Sequence, residues 1–190
     1  MANWIWIFII LAGGLFCLKI AYIFCTVLVL PTTQGALYVS TSRAKIAAFM
    51  EAVPMTASQM LVDLGCGDGR VLRQAQKRYG VRTIGYEINL MAYLKARFSS
   101  CGSNRITIKH QSFWKADLSQ ADVVFCYLYP DIMQKLADKL RSGLKPGAII
   151  VSSNFPLPGF IPSKVIRLKS SYHNDPIYVY KHDPGTQSRA

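Results

Sequence analysis

A short apolar segment, Met60–Leu64, runs directly into Gly65-Cys66-Gly67-Asp68-Gly69-Arg70 and then into a helix-forming stretch. A strand that ends on an acidic residue, turns sharply through three alternate glycines and feeds a helix is a building unit of a wound α/β sheet. Glycine serves two purposes in such a turn. It adopts backbone angles that other residues avoid, and it lets a ligand lie against the main chain. The spacing is Gly-x-Gly-x-Gly, not the Gly-x-Gly-x-x-Gly that sets a helix N-terminus against a pyrophosphate. Asp63, just before the turn, is poorly placed for a phosphate anion and suits a cationic ligand.

The rest of the chain extends this unit. Ser42 to Val53 reads as a short helix with Ile46, Phe49, Met50 and Val53 on one face and Pro54 at its end. After the strand at Met60–Leu64 come a helix over Asp68–Tyr79, a strand over Arg82–Tyr86 and a helix over Asn89–Ser99. Strands at Arg105–Lys109 and Asp122–Tyr127, a helix over Asp131–Ser142 and a strand at Ala148–Ser152 follow. This alternation predicts a Rossmann-like, doubly wound, mainly parallel sheet covered on both faces. Lys164–Leu168 and Ile177–Tyr180 then read as strands with no helix between them, so the sheet is expected to end in an antiparallel hairpin. Asp183–Ala190 reads as a loose tail.

Trp4 to Leu30 carries one charge, Lys19. At about 1.5 Å per residue such a run crosses roughly 30 Å of hydrocarbon as a tilted helix. A cleaved signal peptide would have a basic start and a shorter apolar stretch, and Met1-Ala2-Asn3 has no basic side chain. The expected organisation is a transmembrane helix over 4–30, a linker with a short helix over 31–59, one domain over 60–182 and a tail over 183–190. Arg43 and Lys45 follow the span and no basic residue precedes it, which places the domain in the cytoplasm by the positive-inside rule. With 22 basic and 10 acidic residues the chain carries +12, nearly all of it beyond the span. Such an excess attracts anionic lipid, nucleic acid or an acidic protein. The five cysteines, Cys17, Cys25, Cys66, Cys101 and Cys126, are scattered without Cys-x-x-Cys pairs or neighbouring histidines. They are expected to be small buried hydrophobes rather than disulfide partners or metal ligands.

The second strand leads to Gly85-Tyr86-Glu87, placing a carboxylate at its carboxyl edge, where it can accept from two ribose hydroxyls. The third leads to Gln111-Ser112-Phe113-Trp114, whose aromatic groups could flank an adenine. Taken together, Asp63-Leu64-Gly65-Cys66-Gly67-Asp68-Gly69-Arg70 and Gly85-Tyr86-Glu87-Ile88-Asn89 resemble the class I S-adenosylmethionine-dependent methyltransferases. More narrowly, the chain resembles the small membrane-anchored protein-lysine methyltransferases of adenine nucleotide translocase and the ATP synthase c subunit. The likeness includes Tyr38-Val39-Ser40-Thr41, Ala92-Tyr93-Leu94-Lys95-Ala96-Arg97, Phe113-Trp114-Lys115-Ala116-Asp117-Leu118, Tyr127-Leu128-Tyr129-Pro130 and Asn154-Phe155-Pro156-Leu157-Pro158.

The resemblance implies S-adenosylmethionine as cofactor, with Asp63, Gly65, Cys66 and Gly67 around its methionine part, Glu87 on the ribose, and Ser112 with Phe113 beside the adenine. The family usually has an acidic residue at the position of Ser112, and a serine accepts more weakly from the adenine amino group. It also implies an acceptor site after the fourth strand. Here Tyr127, Tyr129, Pro130 and Trp114 are the candidate lining, and Asp131 is a candidate to orient the incoming amine or to cap the helix that follows. No Ser-His-Asp or Cys-His set suggests itself, and His110, His173 and His182 read as surface or strand residues. Other readings stay open: a methyltransferase of a lipid, a quinone or another small molecule at the membrane, or a non-catalytic tethered module. The Asn/Asp-Pro-Pro-Tyr/Phe motif for amino groups on bases is absent, which disfavours nucleic acid, and the glycine spacing disfavours an NAD-linked oxidoreductase.

Overall fold

The computed structural model describes residues 2–29, 41–168 and 175–183. The chain divides into two units, one containing the N-terminal helix and the other the remaining elements. Helix α1 (Ala2–Val29) contains a 21-residue stretch, Trp4–Phe24, long and apolar enough to cross a membrane, with every side chain in it exposed.

In the second unit, helix α2 (Arg43–Ala52) starts at Ser42, whose side chain accepts from the Lys45 N–H at 3.3 Å. Ile46, Phe49, Met50 and Val53 form its buried face, as their spacing predicts. Then follow β1 (Met60–Leu64), α3 (Arg70–Tyr79), β2 (Arg82–Glu87), α4 (Leu90–Ser99), β3 (Ile106–His110), β4 (Val123–Cys126), α5 (Met133–Gly143), β5 (Ile149–Ser153), β6 (Lys164–Ile166) and β7 (Ile177–Lys181). They build one seven-stranded sheet in the order β3-β2-β1-β4-β5-β7-β6. The first five strands are parallel, and β7 pairs antiparallel with both β5 and β6. The terminal hairpin is therefore present, with its second strand inserted between β5 and its first.

Alternating side chains on each strand supply two core layers. Val62, Leu64, Val124, Cys126 and Ile150 meet Met133, Leu136, Ala137 and Leu140 of α5 on one face. Leu61, Val123, Phe125 and Val151 meet Phe49 and Met50 of α2 and Val71, Leu72 and Ala75 of α3 on the other. The winding reverses between β1 and β4, and open α/β sheets bind ligands outside the carboxyl ends of the strands at that point.

Several expectations need correction. Helix α3 begins at Arg70 rather than Asp68, because Gly69 caps it in the left-handed region at φ 73°. Helix α5 begins at Met133, because Pro130–Ile132 first makes a 3-10 turn, so Asp131 does not cap it. His182 is neither a surface nor a strand residue. It is 1 % exposed just beyond β7, where its N–H donates to the Ala148 carbonyl and its own carbonyl accepts from Gly147. Cys66 and Cys126 are buried as expected, but Cys17 and Cys101 are exposed. Residues 38–40, His173 and 184–190 lie outside the described residues, as does the Cys25 side chain.

Candidate active site

The glycine turn takes its shape from three left-handed residues, Gly65, Gly67 and Gly69, at φ 82°, 55° and 73°. Such angles strain any residue with a Cβ. A Cβ on Gly65 would also stand 3.1 Å from the Leu128 side chain, so this turn touches the segment after β4. The Gly65 and Cys66 N–H groups both donate to the Tyr86 carbonyl, at 2.9 and 3.0 Å, which fastens the turn to the end of β2.

Glu87, the last residue of β2, is 9 % exposed, and its carboxylate is held on both oxygens. The Gly67 N–H donates to Oε2 and the Asn89 N–H to Oε1, each at 2.8 Å. Each oxygen keeps lone-pair capacity, so the fixed carboxylate can still accept from two vicinal hydroxyls. Asn89 caps α4, accepting from the Met91 and Ala92 N–H groups at 3.0 and 3.1 Å.

Two aspartates of the motif have opposite electrostatics. Asp68 is paired with Arg70 at 2.8 Å and faces Lys95 at 3.6 Å. Burial opposes its ionisation, but the hydrogen bonds and charge of Arg70 outweigh burial and bring its pKa down to about 2. Asp63, 2 % exposed, is pushed well above the usual carboxylate range by burial first and then by the charges of Glu87 and Asp68. Every cause acting on Asp63 raises it, so a cation placed beside it would relieve an unfavourable site. Burial, followed by the Asp63 and Glu87 charges, also raises the neighbouring Cys66 thiol, which stays neutral. The donor set thus fits a ligand that carries both positive charge and a ribose.

Ser112 opens a 3-10 turn, Phe113–Lys115, beyond the end of β3. The Phe113 and Trp114 rings meet at 4.7 Å, and Lys135 of α5 lies 4.8 Å from the Trp114 ring centroid. Both aromatics are half-buried against the α5 side of the core, and Trp114 is turned toward that helix. His110 ends β3, stacked on Tyr93 at 5.0 Å. After β4, Tyr127 and Leu128 are half-buried, Tyr129 is 37 % exposed, and Pro130 and Asp131 are exposed. The candidates Asp63, Gly65, Cys66, Gly67, Glu87, Ser112, Phe113 and Tyr127 thereby share the carboxyl edge of the sheet, while Asp131 stands outside it on an exposed turn. Among the described residues no group of three or more His, Cys, Asp or Glu is placed to hold a metal ion.

Three residues that sequence reasoning did not assign to the site gather beside Tyr127. Lys45, on α2, contacts Asn154 Oδ1 and donates to Asp175 Oδ2 at 3.2 Å, with its ammonium 5.3 Å from the Tyr127 ring centroid. Asn154 Nδ2 donates to Asp175 Oδ2 at 3.0 Å and to the Tyr127 hydroxyl at 3.1 Å. Burial, then the Asp175 charge, raises the Tyr127 pKa above its ordinary value. Asn154 heads one of the stretches that carry the family likeness, but no local pattern assigns any of the three to the site.

Residues 63–164 match the ANTKMT methyltransferase domain family. A protein-lysine N-methyltransferase of Saccharolobus islandicus (strain REY15A) is 32 % identical over 147 residues, covering 75 % of this chain and 91 % of that protein. The adenine nucleotide translocase lysine N-methyltransferase of Mus musculus is 37 % identical over 111 residues, 56 % of this chain. Against that relative the chain spans about half the length, 48 %. Among solved structures, an RNA methyltransferase from Salinibacter ruber in complex with S-adenosyl-L-homocysteine superimposes with a TM-score of 0.72 at 28 % identity, covering 80 % of this chain and 100 % of that one.

Proposed function

We propose, from the premise that this chain belongs to the ANTKMT methyltransferase domain family and is an S-adenosylmethionine-dependent methyltransferase, that its methyl acceptor is a lysine of a protein met at a membrane. The observation that carries the acceptor class is the likeness to a protein-lysine N-methyltransferase over 75 % of the chain. Helix α1 supports the location, because an exposed apolar stretch of 21 residues is long enough to span a bilayer. The positive-inside rule would then keep the domain on the cytoplasmic side.

The bound cofactor supplies a methyl group on a sulfonium. Asp63 offers its buried carboxyl to the cationic methionine part, and the turn through Gly65, Cys66 and Gly67 lets that part approach the main chain. Glu87, held by two N–H donors, receives the ribose hydroxyls. Ser112 and Phe113 flank the adenine. Tyr127, Tyr129 and Pro130 line the approach of the acceptor, with Trp114 at its margin, and the exposed Asp131 attracts the incoming cation at the rim. Transfer is an in-line displacement, so the chief work of these side chains is to align the acceptor nitrogen with the methyl carbon and to exclude water. A lysine ammonium must lose its proton before it can act, which desolvation against the tyrosine faces favours.

The RNA methyltransferase likeness and the +12 charge favour RNA as the second acceptor class. The deciding experiment uses the full chain in detergent. Calorimetry should show S-adenosylmethionine binding that Asp63→Ala and Glu87→Ala each weaken by roughly tenfold or more, the loss typical of a charged hydrogen-bonding group. Labelled-methyl transfer into membrane proteins, extracted lipid and total RNA then compares acceptors. Label recovered on protein lysine supports the reading, and label confined to lipid or RNA overturns it.

A further inference from the structure

Lys45 is buried to an extent unusual for lysine, with its side chain 7 % exposed. A buried ammonium is costly unless all of its hydrogen-bonding capacity is met. Here two of its three N–H donors have oxygen acceptors and an aromatic face lies beside it, a receptor of three groups drawn from distant segments. The Asp175 carboxylate leads into β7, the Asn154 amide oxygen follows β5, and the Tyr127 ring follows β4. A carboxylate, an amide oxygen and an aromatic face together suit a primary ammonium.

The receptor is held in shape independently of Lys45. Asn154 bridges Asp175 and the Tyr127 hydroxyl through its Nδ2, and its Oδ1 also accepts from the Ser153 hydroxyl at 3.2 Å. Its main-chain N–H donates to the Pro176 carbonyl at 2.8 Å. Among the described residues it is the one non-glycine residue at positive φ, 74°. Strain of that kind persists where the surroundings over-determine it, and it concentrates at functional sites. The receptor also adjoins the cofactor turn, since Leu128, next to Tyr127, is the residue that faces Gly65. Asp175 is 36 % exposed, so solvent reaches the receptor from its carboxylate side.

We infer that Tyr127, Asn154 and Asp175 receive the ammonium of the acceptor, and that Lys45 fills this receptor in the free protein as an internal stand-in that the acceptor displaces. The inference rests on the lysine reading above. An occupant that must leave lowers apparent acceptor affinity by the fraction of molecules with the site open.

The test uses the full chain in detergent with two probes, poly-L-lysine as methyl acceptor and n-butylammonium chloride as a side-chain mimic. Lys45→Met keeps the apolar stem and removes the ammonium. It should lower the KM for poly-L-lysine at least about threefold, with S-adenosylmethionine affinity unchanged. Asp175→Asn leaves Lys45 in place and weakens the receptor, so it should raise that KM, and it serves if Lys45→Met does not fold. In Lys45→Ala, n-butylammonium should raise the Tm, and the added change Asp175→Asn should abolish the effect. If Lys45→Met lowers only the Tm and leaves KM unchanged, Lys45 is a tie between α2 and the sheet and the inference is wrong. If cofactor binds but no variant methylates poly-L-lysine, the lysine reading fails. Butylammonium rescue would then still support a receptor for another amine, and its absence would sink both.

Discussion

The three carboxylates around the glycine turn differ in what surrounds them. Asp68 has Arg70 and Lys95 beside it and is ionised at any ordinary pH. Glu87 is engaged by two N–H groups. Asp63 is raised by burial and by the other two, and no cause pulls it back. Its folded-state pKa therefore lies above its unfolded value, so the folded state binds the extra proton. Stability is lost as pH rises from about 4 through the folded pKa. Asp63→Asn removes that penalty. The Tm difference between Asp63→Asn and the parent, both without cofactor, should be near zero at pH 4 and grow toward neutral pH, while cofactor affinity falls. A difference that stays flat with pH would show that the Asp63 charge is already compensated. Asp63 and Glu87 were legible in the sequence because strand ends and turns are local. The raised pKa of Asp63 was not, since burial and neighbouring charge arise only when β1 and β2 lie side by side.

At the scale of elements, the glycine turn works only if α3 lies close against β2. Gly85 makes that approach possible. A Cβ there would meet Leu72 Cδ1 at 2.5 Å, Cys66 Sγ at 2.6 Å and Cys66 Cβ at 2.9 Å. Gly85→Ala should cost about 1–3 kcal/mol by overpacking, read as a lowered urea midpoint, and should weaken cofactor binding by displacing Cys66. An unchanged midpoint would mean that α3 can move away without loss. The existence of each α-helix and strand of the domain was legible in the sequence, while the 3-10 turns at Phe113–Lys115 and Pro130–Ile132 were not. The starts of α3 and α5 were not legible either, because Gly69 and the Pro130 turn delay helix formation through backbone geometry that residue spacing does not display.

For the whole molecule, the exposed apolar stretch of α1 and the charge of +12 both bear on the proposed membrane location. The span reading predicts that the full chain stays with membranes through alkaline carbonate extraction, and that deleting residues 1–30 releases it. Extraction of the full chain by carbonate would argue that α1 is covered by protein instead. Protease added to sealed vesicles should reach the domain only from the cytoplasmic face.

Read as a string, the chain already determined an alternating α/β sheet with a terminal hairpin, the glycine turn and two strand-end carboxylates. These signals act over a turn or a strand, within which side-chain period and backbone preference are decisive. Tertiary structure alone decided that β7 enters between β5 and β6, and that Trp114 turns toward α5. It alone brought Lys45 to Asp175, 130 positions away. Contacts at such separation depend on strand order and on which helix covers which face, and neither is encoded by any local pattern.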